Sequence, residues 1–457
     1  MVIGAGSAGL AAALFAARMG ARVALIEAGQ PGGDCTWTGC VPSKALLHVA
    51  QVVHRATSSG FLTSAGAVEF AAVRAHVLGA RERVFAFETP ASLEAEGVDL
   101  VPGRARFAGP HVVEVNGSQI EGKRFVICTG ASPVVPPIPG IADADYLTYE
   151  AVWDLEELPG RLLIVGGGPI GSELAQACSR LGSKVTLVEA LPRLAAIADP
   201  EASEVLTRRF HGEGIELLLG HPLDRVEAAH GELVALVGSA RIEAERLLLA
   251  LGRRPRIDEL ELDAAGVRTN PTGITIDDRL RTSTPHIFAA GDVTGGPQFT
   301  HYAAWQGFAA ARNALYPGST RGRRSPVPWT IFTDPEIAQV GLSEADAEQL
   351  NRRVSVHRWP AVQIDRAQTE AETDGFIKLV TAGRKDRLLG ATVVSSHAGE
   401  VADQLAVAIT AGMGLADLAQ TLHVYPTHGY GVGQLAAAVR IRSAASRTGL
   451  RLLRRLG

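Results

Sequence analysis

A short unit that contains a glycine-rich turn occurs twice in this 457-residue chain, and it constrains the fold more than any other feature. The unit has an apolar run, a G-x-G-x-x-G turn, an Ala-rich stretch and a second apolar run that ends in an acid. The first copy carries Gly4, Gly6, Gly9 and Glu27, and the second carries Gly166, Gly168, Gly171 and Glu189. In both copies the acid follows the first glycine by 23 residues. A lone glycine motif often marks an ordinary turn, but a complete unit repeated at one spacing predicts two β-α-β folds of the Rossmann type.

The chemistry of this unit suits a dinucleotide. The first glycine makes the tight turn, the second lets the backbone approach a pyrophosphate, and the third lets helix and strand pack closely. Unsatisfied N–H groups and the helix dipole favour the phosphates at the helix N-terminus, and the acid accepts hydrogen bonds from ribose hydroxyls. Two units therefore predict two bound dinucleotides. A carboxylate at Glu189 repels a 2′-phosphate and favours NADH, while the nearby Arg193 leaves NADPH open.

Composition and charge exclude several classes of protein. The net charge of −4 provides no basic excess to neutralise nucleic-acid phosphates. No run of apolar residues is long enough for a membrane span, and no basic segment precedes an apolar one as in a signal peptide. Four cysteines are too few for a disulfide-stapled secreted scaffold, so we expect a soluble, cytoplasmic protein. Only three residues precede Gly4, fewer than the roughly 5–6 of a usual strand, which predicts a native start further upstream.

Cys35 and Cys40 lie in the glycine-rich segment Gly32–Lys44, with the sequence GGDCTWTGCVPSK. Pro42 suits the first turn of the helix that follows, so a thiolate at Cys40 would face the positive helix end, which lowers its pKa. Lys44 lies one helical turn further on. A zinc site is the rival interpretation, but no second Cys/His pair follows at ligand spacing, and we predict no resident metal. Two buried, inert cysteines remain the alternative.

The segment Gly32–Lys44 closely resembles the active-disulfide signature of the FAD-dependent pyridine nucleotide–disulfide oxidoreductases. This family includes dihydrolipoamide dehydrogenase, glutathione reductase and mercuric reductase. The resemblance covers essentially the whole chain, with further landmarks in the family's order: TGASP at 129–133, LGRRP at 251–255, IFAAGD at 287–292 and FTDPE at 332–336. The cysteine signature is highly specific, whereas the glycine motifs alone are not.

The resemblance implies an α/β protein with two doubly wound, Rossmann-type dinucleotide-binding domains and a C-terminal α+β dimerisation domain. We expect residues 1–150 and 255–325 to form the FAD-binding domain, and residues 151–254 to form the NAD(P)-binding domain. Residues 326–457 would form the interface domain, which completes each active site across a homodimer.

The resemblance also implies roles for the matching residues. The FAD ligands would be Gly4, Gly6, Gly9, Glu27, Lys44, Ala105, Thr129, Gly130 and Asp292, and the nicotinamide nucleotide ligands Gly166, Gly168, Gly171, Glu189 and Gly252. Lys44 would lie by flavin N5 and pair with Glu173. Electrons would pass from NAD(P)H through the flavin to Cys40 and open a Cys35–Cys40 disulfide. Cys35 would be the outer thiol, which meets the substrate.

The family's C-terminal motif His-Pro-Thr-x-x-Glu is altered in this chain. Disulfide-reducing members use this His and Glu, supplied by the partner subunit, to protonate the departing thiolate. Tyr425 and Tyr430 stand at the two positions in this chain, and a phenol with a pKa near 10 is a poor proton shuttle beside an imidazole near 6.5. A metal ion needs soft sulfur ligands rather than a general acid. The pattern therefore favours a mercuric-reductase-like enzyme that reduces a thiophilic metal ion, with Tyr425 near the thiols.

Several alternatives remain open at this stage. Residues 440–457 lack the terminal cysteine pair of mercuric reductases, and we expect no N-terminal metal-binding domain. His423 and His428 would replace the missing acid–base pair, supply imidazole to an ion such as copper, or lie at an interface or the surface. The rival activities are a dihydrolipoamide dehydrogenase-like disulfide oxidoreductase, a quinone reductase and, outside catalysis, a flavin-based redox sensor. The arginine-rich tail is predicted to be a solvated helix face rather than a membrane contact.

Overall fold

The computed structural model describes residues 1–61, 66–229, 232–316, 320–324, 326–350 and 353–446. These residues divide into two compact units. The first unit comprises Met1–Gly166, Ala177–Val188 and Pro222–Arg324, and the second comprises the described residues of Gly167–Gln176, Glu189–His221 and Ser325–Gly457. Within these ranges no helix is long and apolar enough to cross a membrane. The arginines predicted to form a solvated tail after Ser446 lie outside the described residues.

The chain folds into α-helices, β-strands and short 3-10 turns. The α-helices are α1 Ser7–Arg18, α2 Gly33–Trp37, α3 Cys40–Ser58, α4 Phe70–Phe85, α5 Pro90–Ala95, α6 Pro169–Leu181, α7 Pro200–Gly212, α8 Thr300–Leu315, α9 Glu344–Gln349, α10 Asp365–Glu370, α11 Ala398–Thr410, α12 Leu415–Gln420 and α13 Tyr430–Ser446. The first strands are β1 Val2–Ile3, β2 Val23–Glu27, β3 Val98–Pro102, β4 Ala105–Gly109, β5 Val112–Val115, β6 Ser118–Glu121, β7 Phe125–Ile127, β8 Ala131–Pro133, β9 Tyr146–Thr148, β10 Arg161–Val165, β11 Lys184–Glu189 and β12 Glu216–Leu219. The remaining strands are β13 Arg225–Ala229, β14 Glu232–Val237, β15 Ala240–Ala244, β16 Arg246–Leu249, β17 Arg253–Pro255, β18 Thr269–Asn270, β19 Gly273–Ile274, β20 Ile287–Ala289, β21 Trp329–Ile331, β22 Glu336–Gly341, β23 Ser355–Pro360, β24 Phe376–Ala382 and β25 Arg387–Ser395. The 3-10 turns cover Ile141–Asp143, Val152–Asp154, Leu262–Ala265, Asp292–Thr294 and Ala361–Gln363.

The first unit contains a five-stranded parallel sheet in the order β20-β7-β1-β2-β3. Strand β1 has only two residues, yet it lies at the centre, where Val2 pairs with Leu25 on one side and Val126 on the other. Near-continuous apolar strands of this kind fit a parallel sheet that is covered on both faces. Helix α1 packs closely on α8, because Gly307 faces the Ala8 carbonyl oxygen, which a Cβ at position 307 would approach to 2.0 Å.

Strands β11, β10, β16 and β9 are parallel neighbours in that order, with Leu163 of β10 paired to Thr186 and to Leu247. Antiparallel three-stranded sheets, β4-β5-β6 and β13-β14-β15, accompany the two parallel sheets. The predicted α/β class with Rossmann-type parallel sheets is therefore confirmed.

The second unit contains a five-stranded antiparallel sheet in the order β21-β22-β25-β24-β23. Its buried core joins apolar side chains of the sheet, such as Leu379 and Val393, to those of the helices, such as Leu405 of α11 and Leu435 of α13. This arrangement fits the predicted α+β domain. The predicted domain boundaries at residues 150, 254 and 325 stay predictions.

Candidate functional site

Cys35 and Cys40 lie close together in the first unit. Cys35 belongs to the short helix α2, and Cys40 is the first residue of α3, which has Gly39 as its N-cap. The structure holds the pair as two thiols. The pKa of Cys35 is raised, first by its hydrogen bond with Cys40 and then by burial. The Cys40 Sγ also lies 3.2 Å from Oγ1 of Thr300, the first residue of α8.

Neighbouring side chains anchor the loop between the cysteines. The buried Thr36 donates its hydroxyl to Oε2 of Glu88 at 2.8 Å, and Nε1 of Trp153 donates to the Thr38 carbonyl oxygen at 2.8 Å. A Cβ at Gly39 would lie 2.8 Å from a carbonyl oxygen of α2. These contacts hold the loop that carries the two sulfurs.

The first glycine motif forms a cradle at the N-terminus of α1. Gly4 has φ +97°, and a Cβ there would lie 2.4 Å from a carbonyl oxygen of Cys128. A Cβ at Gly9 would lie 1.7 Å from the Gly4 carbonyl oxygen, whereas one at Gly6 would meet only the Gly33 Cα, at 3.8 Å, among the described residues. The outer glycines are therefore required for packing, and the middle one leaves room beside the N–H groups at the start of the helix. This is the space that a pyrophosphate needs, so the residues present fit FAD.

The second glycine motif repeats the same steric pattern at its first two glycines. Gly166 has φ +110°, and a Cβ there would lie 2.4 Å from the Ala250 carbonyl oxygen. A Cβ at Gly168 would meet no atom within 4 Å among the described residues. Gly171 lies in the first turn of α6. The pattern fits a second dinucleotide.

Glu27, at the end of β2, holds the first glycine turn through its two carboxylate oxygens. Oε2 accepts the backbone N–H of Ala5 at 2.6 Å, and Oε1 accepts that of Gly29 at 2.7 Å. The acid that ends the predicted unit is therefore fixed at the edge of the cradle, where a ribose would meet it.

Glu189 makes the equivalent contacts in the second copy. Its Oε2 accepts the Gly167 N–H at 2.6 Å, and its Oε1 accepts the Leu191 N–H at 2.7 Å. Arg193 donates to two carbonyl oxygens of its own loop, at 2.9 and 3.2 Å. Its guanidinium is therefore already engaged.

A charged cluster lies directly beside the cysteine loop. The guanidinium of Arg253 contacts the Asp34 carboxylate and donates to Asp292 Oδ2 at 2.6 Å and to the Tyr149 hydroxyl at 3.0 Å. Burial raises the pKa of Asp292 despite the opposing charge of Arg253. Asp292 was predicted as a FAD ligand, whereas Asp34 and Arg253 were not singled out. Both residues could have been found from sequence motifs, because Asp34 directly precedes Cys35 and Arg253 lies in the LGRRP landmark.

The remaining predicted FAD and nucleotide residues occupy ordinary positions in the first unit. Thr129 donates its hydroxyl to a backbone carbonyl after β17 at 2.7 Å. Gly130 and Gly252 have φ +71° and +98°, and a Cβ at either would meet no described atom within 4 Å. Ala105 is buried at the start of β4, and Lys44 is half-buried on α3, one turn after the second cysteine.

Glu173 lies on α6 and is 6% exposed. Its Oε1 accepts the backbone N–H of Phe332 at 2.9 Å. The predicted ion pair between Lys44 and Glu173 joins residues of different units, and it stays a prediction.

Tyr425 and Tyr430 lie together in the second unit, with ring centroids 5.3 Å apart and the rings edge to face. Tyr425 is 60% exposed, and its hydroxyl donates to Asp365 Oδ2 at 3.0 Å. This hydrogen bond raises the pKa of Tyr425, which makes the phenol a still weaker proton donor at neutral pH.

The two histidines near this motif face other groups. His428 is 5% exposed, and its Nε2 lies 2.9 Å from Glu370 Oε2. His423 is half-buried, with Nε2 3.3 Å from the Leu418 carbonyl oxygen. A buried imidazole that pairs within its own unit is poorly placed to serve as the proton shuttle lost at Tyr425.

Two segments of the chain match known protein families. Residues 1–307 match the pyridine nucleotide-disulphide oxidoreductase family, and residues 327–436 match the dimerisation domain of the same family.

Individual relatives agree with this match. The chain is 39% identical to a mercuric reductase from Bacillus cereus, over 94% of this chain and 70% of the relative. It is 35% identical to a dihydrolipoyl dehydrogenase from Thermus scotoductus, over 96% of each protein. Among solved structures, the Cu(II) complex of the HOCl-induced flavoprotein disulfide reductase RclA from Escherichia coli superposes with a TM-score of 0.87 at 29% identity, over 95% of this chain and 99% of that one.

Proposed function

Because the chain belongs to the pyridine nucleotide-disulphide oxidoreductase family, we propose that it reduces a thiophilic metal ion, with Hg(II) as the first candidate. One observation carries the choice of substrate. The cysteine pair is intact, but the positions of the family's acid–base dyad hold two tyrosines, of which Tyr425 hydrogen-bonds to Asp365. A metal ion that leaves its thiolate ligands after reduction requires no proton from a general acid.

The sulfurs of Cys35 and Cys40 would hold the ion as two soft ligands. Both must lose their protons on binding, and the position of Cys40 at the N-terminus of α3 favours the thiolate. Family membership implies FAD and NAD(P)H, which when bound supply two electrons, so that NAD(P)H is oxidised, Hg(II) leaves as Hg(0) and one proton is released. Lys44 and Glu173 would act as a charge pair beside the flavin, where each offsets the burial of the other.

The glycine motifs and their acids would hold the cofactors. Glu27 and Asp292 would bind hydroxyl groups of FAD, and Glu189 would bind the ribose of the nicotinamide nucleotide. We further propose a preference for NADH, supported by the Glu189 carboxylate at the end of β11 and by the engagement of Arg193 with its own loop.

A second ion is favoured by a comparison. The similar RclA has been solved as a Cu(II) complex, and a pair of thiolates also suits copper. Cu(II) is therefore the second metal to test.

The test is anaerobic NADH consumption by the purified FAD-loaded protein. The acceptors are thiol-complexed Hg(II), Cu(II), oxidised lipoamide and a quinone, each with wild type and with Cys40→Ser. We expect turnover with a metal ion and at most traces with lipoamide, and we expect Cys40→Ser to abolish metal turnover. Faster turnover with lipoamide than with either metal would overturn the proposal. Quinone turnover that survives Cys40→Ser would assign the chemistry to the flavin alone.

A further inference from the structure

Three side chains of the second unit place metal-ligating atoms close together, apart from the cysteine pair. Glu370 ends α10, His397 is the N-cap of α11, and His428 lies in the segment before α13. One nitrogen of each imidazole and one oxygen of the carboxylate lie within 4.8 Å of one another. We propose that these residues bind a divalent transition-metal ion of borderline softness, such as Zn²⁺ or Co²⁺. The sequence predicted no resident metal, so the proposed site differs from that prediction.

The buried member of the cluster already faces the carboxylate. His428 is 5% exposed, and its Nε2 lies 2.9 Å from Glu370 Oε2. A cation shared between His428, Glu370 and His397 would take the place of this hydrogen bond, with Nε2 as the ligand atom of His428.

The other two ligands are suitably held for a cation to enter. Arg366 donates to Oε1 of Glu370 at 2.6 Å, which orients the carboxylate so that Oε2 faces His428. Such an outer partner commonly fixes a metal-binding carboxylate. His397 is exposed, so it gives access from solvent. Bonds of about 2.1 Å place two ligands of one ion about 3–4 Å apart, which a shift of the exposed imidazole by roughly 1 Å achieves.

The donor set decides which ions are suitable. Two imidazoles and one carboxylate suit Zn²⁺, Co²⁺, Ni²⁺ and Cu²⁺, whereas Mg²⁺ and Ca²⁺ prefer oxygen ligands. A soft ion such as Hg(II) prefers the thiolates of Cys35 and Cys40. The proposed site therefore selects different ions from the redox centre.

Binding at this site would fix the segment that carries the two tyrosines. His428 lies between Tyr425 and Tyr430, and Tyr425 already contacts Asp365 at the start of α10. A cation held by α10, the start of α11 and His428 adds a second cross-link to the same segment. We therefore expect the bound ion to raise the thermal unfolding midpoint of the protein.

The experiment uses the FAD-loaded full-length protein with Cys35→Ser and Cys40→Ser, so that the redox thiols bind no metal. After treatment with a chelator, Co²⁺ is titrated by calorimetry and by its visible d–d absorption. We expect one Co²⁺ per chain, displacement by Zn²⁺ and no displacement by Mg²⁺. His397→Ala and Glu370→Gln should each weaken Co²⁺ binding by at least about 100-fold, more than the loss of an outer partner alone.

His423→Ala is the matched control, because His423 lies in the same segment but outside the cluster, and it should bind Co²⁺ like the parent. A parent that binds no Co²⁺, or a His397→Ala variant that binds as the parent does, would overturn the proposal. His397 is exposed, so its replacement does not threaten the fold. Because the thiols are absent from this assay, its outcome is independent of the proposed metal reduction.

Discussion

At the scale of single residues, Arg253 connects the cysteine loop to a predicted FAD ligand. Its guanidinium contacts Asp34, which directly precedes Cys35, and Asp292. We expect Asp34→Asn to lower the free energy of unfolding by about 2 kcal/mol, because a half-buried ion pair is broken while Asp292 still compensates Arg253. Urea unfolding of the FAD-loaded protein measures the change.

The matched control is Asp258→Asn, which removes an exposed ion pair with Arg254. Exposed pairs contribute little, so this variant should stay within about 0.5 kcal/mol of wild type. Equal effects of the two substitutions would contradict a special role for Asp34.

The carboxyl group of Glu336 predicts that the stability of the protein changes with pH. Burial raises the pKa of Glu336 from 4.5 to about 7, although the Gly399 N–H donates to its carboxylate. The unfolded chain releases this proton near 4.5 and the native chain near 7, so the native state binds more protons in between. Stability therefore falls as the pH rises through this window.

Replacement by Gln removes the titration. We expect the difference in unfolding free energy between Glu336→Gln and wild type to grow from pH 4.5 to pH 7, in favour of the variant, by on the order of 2 kcal/mol. Urea unfolding at several pH values checks this. A difference that does not change with pH would show that Glu336 ionises at its ordinary value in the native state.

The residues that sequence reasoning found are those tied to a local pattern. Gly4, Gly9 and Gly166 could be predicted from the spacing of the glycine motif. The structure gives the physical reason for that spacing, because a Cβ at each position would collide with nearby backbone. Glu370 and His397 could not, because their proximity to His428 depends on the packing of three separate elements of the second unit. Thr300 near Cys40 was missed for the same reason, since 260 residues separate them.

At the scale of elements, the approach of α1 and α8 depends on Gly307. A Cβ at this position would lie 2.0 Å from the Ala8 carbonyl oxygen. We expect Gly307→Ala to push the helices apart and to lower the unfolding free energy by about 1–3 kcal/mol. Since α1 begins at the glycine cradle, the fraction of purified protein that retains FAD should fall as well.

Gly212→Ala provides the comparison, because a Cβ at this last residue of α7 would meet no described atom within 4 Å. That substitution should be neutral or stabilise by up to about 1 kcal/mol. Thermal unfolding and flavin absorbance of both variants measure the two effects. An unchanged Gly307→Ala protein would mean that the helices adjust without cost.

The elements differed in how far the sequence predicted them. The strand–turn–helix units were visible from their apolar runs and glycine spacing, and even the two-residue strand β1 occupies the central position of its sheet. The antiparallel sheet of the second unit was expected only from the resemblance to the family, because its strands carry no chemical motif. Helix α3 begins at Cys40 itself, so Pro42 lies in its first turn as predicted.

At the scale of the whole molecule, the second unit carries the family's dimerisation domain, and the C-terminal motif of one subunit is expected to serve the active site of its partner. Restoring the family's dyad with Tyr425→His and Tyr430→Glu therefore tests whether the missing acid–base pair is what prevents the reduction of disulfide substrates. The two rings lie 5.3 Å apart, so the new side chains can hydrogen-bond. A general acid contributes about 10²–10⁴-fold, and we expect lipoamide turnover to rise at least tenfold.

The control is Tyr425→Phe with Tyr430→Phe, which removes both phenols without adding an acid and should bring no gain with lipoamide. Size-exclusion chromatography must first show that both variants have the wild-type oligomeric state, because a lost dimer would separate the motif from the thiols it serves. A gain in the His/Glu variant alone would identify proton supply as the step that separates metal from disulfide substrates. An intact dimer with no gain would mean that access to Cys35, rather than the missing acid, excludes the disulfide.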